Sequence, residues 1–129
     1  MNISGIAAIL ASLVLGHLTV FQLLLAAGAP VGKLAWGGQH RILPANLRWA
    51  SLSAIAILVL AIWTVLARSD LVAPGAEWLI VRVLSWIFAG YFTLNVAMNV
   101  RSQSRLEKRI MTPVAGIIAA CFLLVSLWT

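Results

Sequence analysis

The chain has 129 residues, 63% of them hydrophobic, and a mean hydropathy of +1.05. That stretch holds one compact membrane bundle and has no room for a soluble domain beside it. Nine basic against three acidic residues give a net charge of +6 and a pI near 11.3, which in a soluble protein would point to nucleic acid. Nucleic-acid binding is set aside because no basic helix or aromatic-interleaved basic surface leaves the apolar segments.

Four apolar stretches run from Ile3 to Ala29, Trp49 to Ala67, Trp78 to Val100 and Pro113 to Trp128. Each is close to the ~20 residues a helix needs to cross the hydrocarbon core. A bilayer core offers no hydrogen-bond partners, so each span must satisfy its own backbone, and a helix does so. The expected fold is all-α, a four-transmembrane-helix bundle in a single domain, with short loops and spans at 3–29, 46–67, 77–100 and 112–128.

The first span ends in Ala27-Gly28-Ala29, which has the small-residue look of a signal-peptide cleavage site. The apolar run is too long for a signal h-region, no cation precedes it and Pro30 would follow the cut, so it reads as a true span. Loop one, Pro30 to Leu47, is rich in turn residues yet apolar, as suits a segment folded against the headgroup region, with Trp36 as its interfacial anchor. Pro44 fits the first turn of span two. Loop two, Arg68 to Ala76, carries Pro74-Gly75 and reads as a tight turn.

Span three is expected to continue as a helix to about residue 110, because nothing in Arg101 to Arg109 breaks one. Thr112 and Pro113 then read as the N-cap and first position of span four. Span four has the fewest polar residues and is expected to face lipid or a second copy. Cys121, within it, reads as a small buried hydrophobe.

Lys33, Arg41, Arg48, Arg101, Arg105, Lys108 and Arg109 lie in or beside loops one and three, whereas Arg68 and Arg82 flank loop two beside Asp70 and Glu77. By the positive-inside rule, loops one and three are cytoplasmic and both termini are outside. The expected setting is a bacterial plasma (inner) membrane. The expected partners are the lipid bilayer and its anionic headgroups, with a homo-oligomer or a membrane-protein partner as a further expectation.

Polar residues inside a membrane are costly, so each asks for a role. Span one offers His17 and Gln22, and span three Arg82, Tyr91, Asn95 and Asn99. His17 and Tyr91 stand at equal depth from the outer ends of their spans, roughly 21 Å by helical rise, with Gln22 and Asn95 one layer below. If spans one and three are neighbours, these residues form a polar seam. Tyr91, Asn95 and Asn99 recur at i, i+4, i+8, a stripe that Ser102 continues. Such a stripe suits interhelical hydrogen bonding or a ligand cavity. Arg82 is near enough to the outer boundary to snorkel, with Trp78 and Trp86 one turn either side.

Small residues recur at fourfold spacing as Ala8-Ser12-Gly16 and Gly116-Ala120, permitting close helix approach. In loop one and beside it, Trp36, His40, Arg41, Arg48 and Glu107 are candidate interaction residues. Glu107 lacks a cation at i±3 or i±4 and is free to pair with Arg41 or Arg48.

The segments Ala27-Gly28-Ala29-Pro30-Val31-Gly32, Ala35-Trp36-Gly37-Gly38-Gln39-His40, Leu43-Pro44 and Leu47-Arg48 are followed later by Asn99, Ser102, Ser104, Glu107 and Pro113. In this layout the chain resembles a type of small four-span bacterial membrane protein to which no activity is attached. The resemblance implies that loop one and the start of the following cytoplasmic tail form the functional surface.

Proton-coupled export of the small multidrug kind needs an intramembrane carboxylate, and Asp70, Glu77 and Glu107 all fall at or beyond the expected interfaces. Fluoride-channel proteins share only size with this chain. No opposed pair of embedded histidines suits haem, and no carboxylate pair, catalytic triad or Cys/His cluster is evident. No cofactor, metal or catalytic residue is therefore expected. The leading reading is a non-enzymatic binding protein holding a hydrophobic ligand, lipid or membrane partner at the seam. A self-associating transporter or channel is second, and a membrane enzyme using His17 or His40 third.

Overall fold

A computed structural model of the chain describes residues 2–72 and 75–128. Its elements are α1 (Ile3–Ala27), α2 (Ala45–Arg68), α3 (Leu79–Val100) and α4 (Arg105–Trp128), with two 3-10 turns in loop one, Gly32–Leu34 and Trp36–Gly38. There is no strand among the described residues. All four helices are long and apolar enough to cross a membrane, and only 22%, 33%, 28% and 39% of their apolar windows are buried inside the bundle. The remaining apolar surface requires lipid around it, so this is an integral membrane protein. Trp49, Trp78 and Trp128 stand exposed near helix ends, where indole rings favour the membrane–water boundary.

Local chemistry sets the helix ends. Asn2 starts α1 by accepting a hydrogen bond from the Gly5 N–H at 2.8 Å. Gly28 stops it in the left-handed region at φ 92°, with Gly28 N–H bonded to Leu25 and Ala29 N–H to Leu24, the paired bonds of a Schellman stop. Pro44 lies one residue before α2, its carbonyl accepting from Arg48 N–H. Pro74 of the expected second turn lies outside the described residues.

The third connection corrects the sequence reading. The helix of span three does not run on to about residue 110: it ends at Val100, and the turns at 105–111 belong to α4. Two serines make the break. The Ser102 hydroxyl accepts from Ser104 N–H at 3.2 Å, and the Ser104 hydroxyl accepts from Glu107 N–H at 3.2 Å, so side chains replace the helical carbonyls. Ser104-Arg105-Leu106-Glu107 is the Ser-x-x-Glu signature of a helix start. Thr112 and Pro113 are accordingly interior, and the Thr112 hydroxyl is buried without a partner rather than capping a helix. Pro113 also deprives the Arg109 carbonyl of its N–H donor.

The packing corrects a second expectation. α1 packs against α2 and α4, α3 packs against α4 and more lightly against α2, and α1 and α3 share almost no contact. Spans one and three are therefore diagonal, not neighbours. α4 is the most buried helix rather than the lipid-facing one, its Ile118, Phe122 and Val125 fully enclosed. Lipid is as apolar as these side chains, so hydrophobicity does not decide which helix is central; shape does. Ala7, Ala8 and Ala11 bury a small-residue face of α1 in the main core, and Phe122 stacks near Phe88 and Phe92 at ring-centroid distances of 5.7 and 5.6 Å. The expected Gly16 and Gly116 approaches are not made: a Cβ on either would meet nothing within 4 Å.

Candidate functional site

At the loop-one end the bundle holds a partly open cavity of about 460 Å³. That lies within the roughly 300–1,000 Å³ usual for small-molecule sites. The packed aromatic layer of Phe88, Phe92 and Phe122 lies on its loop-two side, together with Leu15 and Val65. Loop one lies over its other end. Leu25, Ala35 and Leu43 bury together against Phe21 and Leu47, and Leu34, Ala35, Trp36 and Gly37 line the cavity.

Two hydrogen bonds hold loop one down, and a third joins the helices that flank it. Trp36 Nε1 donates to the buried Ser51 hydroxyl at 3.1 Å. The Ser104 hydroxyl donates to the Lys33 carbonyl at 2.7 Å while it caps α4, so one side chain both starts the helix and latches the loop. Arg48 Nε donates to the Ala26 carbonyl at 2.8 Å, covering the end of α1. Gly38 passes so close to Ser104 that a Cβ there would collide with the serine side chain, and its φ of 71° independently favours glycine.

The stripe on α3 reaches one place. Tyr91, Asn95, Asn99 and Ser102 all line the cavity, and Gln22 joins them from α1. Asn95 Nδ2 donates to the Tyr91 carbonyl at 3.1 Å, and Asn99 Nδ2 donates across to the Met111 carbonyl of α4 at 3.4 Å. The buried Gln22 Oε1 has no protein donor. Thus Gln22 and Asn95 face a shared space, although their helices share almost no contact.

His17 is not part of it. Its ring is exposed in a shallow groove between α1 and α4, and Nδ1 donates to the Leu13 carbonyl of its own helix at 2.7 Å. The expected His17–Tyr91 layer is therefore absent, because diagonal packing turns the two side chains to different faces. Arg82 is exposed in the first turns of α3, at the end away from the cavity. His40, Arg41 and Arg48 are exposed on the loop-one side and line no part of the cavity.

Glu107 differs most from its expected role. It is only 7% exposed, lines the cavity, and accepts a hydrogen bond from the Ser102 hydroxyl. Among the described residues no ion pair joins it to Arg41 or Arg48. It enters the bundle because the chain breaks at 101–104 and α4 begins there, which places its third residue against the interior. The capping signature at 104–107 was the signal that could have located it. At the opposite end Arg68, only 4% exposed, donates to the Ala76 carbonyl at 2.9 Å, and Ala76 N–H in turn donates to Asp70 at 3.1 Å, closing the second connection.

Among the described residues no group of three or more His, Cys, Asp or Glu side chains could hold a metal ion. Cys121 is buried in the main core. The site therefore presents one carboxylate, three amide side chains, a phenol and the Ser102 hydroxyl along a largely apolar wall. Comparison with protein families, with curated proteins and with solved structures yields no match.

Proposed function

We propose that this membrane protein binds a small amphiphile drawn laterally from the bilayer. The observation that carries the reading is the mixed lining of the cavity. Amide and carboxylate groups from α1, α3 and α4 line it together with Ile57 of α2 and Leu94 and Met98 of α3, which are also exposed on the bundle surface. An apolar chain can lie between α2 and α3 and reach lipid, with its polar end held inside. The site remains a polar region bordered by spans one and three, but α2 and α4 complete it.

Binding is favoured over permeation because the route towards loop two meets the Phe88, Phe92 and Phe122 layer. His17, which a transmembrane path would need, faces elsewhere. In this proposal seven of the nine basic residues mark loops one and three as cytoplasmic, in a bacterial plasma membrane.

The test is to narrow the opening. Ala54 lines it from α2, and Ala54→Trp should remove an amphiphile that is retained by the wild type on gentle extraction and read by native mass spectrometry. Leu60→Trp, an exposed position outside the cavity, is the control and should retain it. Equal occupancy of both variants would refute the cavity as the binding site.

A further inference from the structure

Resting on the amphiphile-binding reading, we propose that the polar lining of the cavity selects a head group that carries positive charge and donates hydrogen bonds, a protonated amine on an apolar chain. The charge distribution is the first support. The chain has a net charge of +6, yet none of its lysines, arginines or histidines lines the cavity, whereas Glu107 does and is 93% withdrawn from the surface. Among the described residues Glu107 makes no ion pair, and a cationic ligand gains from an enclosed carboxylate what an anionic one loses.

The hydrogen-bond inventory supplies acceptors that a protonated amine can use. One amide N–H each of Asn95 and Asn99 donates to a backbone carbonyl, and the Ser102 hydroxyl donates to Glu107. Because a carbonyl can only accept, the amide nitrogens of both asparagines are fixed in place and their oxygens are left to accept. Gln22 adds a buried Oε1 with no donor, and Glu107 has a second carboxylate oxygen beyond the one that takes the Ser102 bond. These oxygens can accept from a ligand, while the Tyr91 hydroxyl and the remaining amide N–H groups can donate, so the preference for a cation over a neutral group rests on Glu107. An ammonium offers three donors in one small group, an alcohol one, and a sulfate none.

The full chain in phosphatidylcholine nanodiscs, titrated with dodecylamine, dodecanol or dodecyl sulfate below micellar concentrations, tests this. The wild type should bind dodecylamine about tenfold more tightly than dodecanol, and dodecyl sulfate more weakly than either. Glu107→Gln keeps the oxygen that serves Ser102, so it should close the amine-to-alcohol ratio from about tenfold to about one. A purely structural glutamate would move neither ratio. Gln22→Met, which leaves the α4 cap intact, should also narrow the amine preference and decides the matter if Glu107→Gln does not fold.

Equal binding of amine and alcohol by the wild type overturns the proposal, as does an amine preference that both variants retain. If Ala54→Trp abolishes binding of all three probes while the amine preference is missing, the cavity reading stands and the amine selectivity alone fails. Unchanged binding of all three by Ala54→Trp overturns the cavity reading itself. Competition of phosphatidylethanolamine with Glu107-dependent dodecylamine binding supports an aminolipid headgroup as the source. Glu107-dependent binding without such competition supports a free amine amphiphile.

Discussion

Removing the Ser104 hydroxyl by Ser104→Ala should weaken two structures at once. The hydroxyl accepts from Glu107 N–H as the cap of α4, a role whose loss costs about 1 kcal/mol. It also donates to the Lys33 carbonyl at 2.7 Å, an exposed bond at the low end of the usual range, about 0.5 kcal/mol. Together the expected destabilisation is about 1.5 kcal/mol. Ser104→Gly separates the two terms, because glycine at a cap costs only a few tenths of a kcal/mol while the latch is still lost. Equilibrium unfolding in bicelles supplies the energies, and amide hydrogen exchange at 31–38 reports the loop. Ser104→Ala should speed exchange there, and Ser104→Gly should do so nearly as much despite its smaller global cost. A Ser104→Ala protein within about 0.5 kcal/mol of wild type, with unchanged loop exchange, would refute the latch.

Two further outcomes follow from the bundle and from its proposed orientation. Phe122→Ala deletes a fully buried ring that contacts Phe88 and Phe92, and should cost about 3–5 kcal/mol in the same unfolding assay. A cost below about 1 kcal/mol would mean that α4 is not central. For orientation, Lys33→Cys introduces an exposed thiol while the native Cys121 is buried, so an impermeant thiol reagent added to intact cells should leave the new residue unlabelled. Labelling from outside would invert the proposed topology.

Apolar length made the membrane character and the four helices legible without coordinates. The i, i+4, i+8 recurrence of Tyr91, Asn95 and Asn99 likewise placed them on one face, since helical periodicity is local. The helix break at 101–104 was legible in principle, because Ser104 and Glu107 have capping spacing. It was obscured by Thr112-Pro113, a stronger-looking start signal that the structure places inside α4. The two seryl hydroxyls decide that boundary through bonds that depend on no distant contact.

What the sequence alone determined was which segments enter the bilayer and which side chains share a helix face, because both follow from hydropathy and the 3.6-residue turn. Which helices are neighbours was decided only by the tertiary structure. Side chains facing lipid and side chains facing another helix are equally apolar, so the central place of α4 rests on how its side chains fit their neighbours, as Phe122 does against Phe88 and Phe92 of α3. That fit separates His17 from Tyr91, and with the break after Val100 it brings Glu107 to the cavity wall.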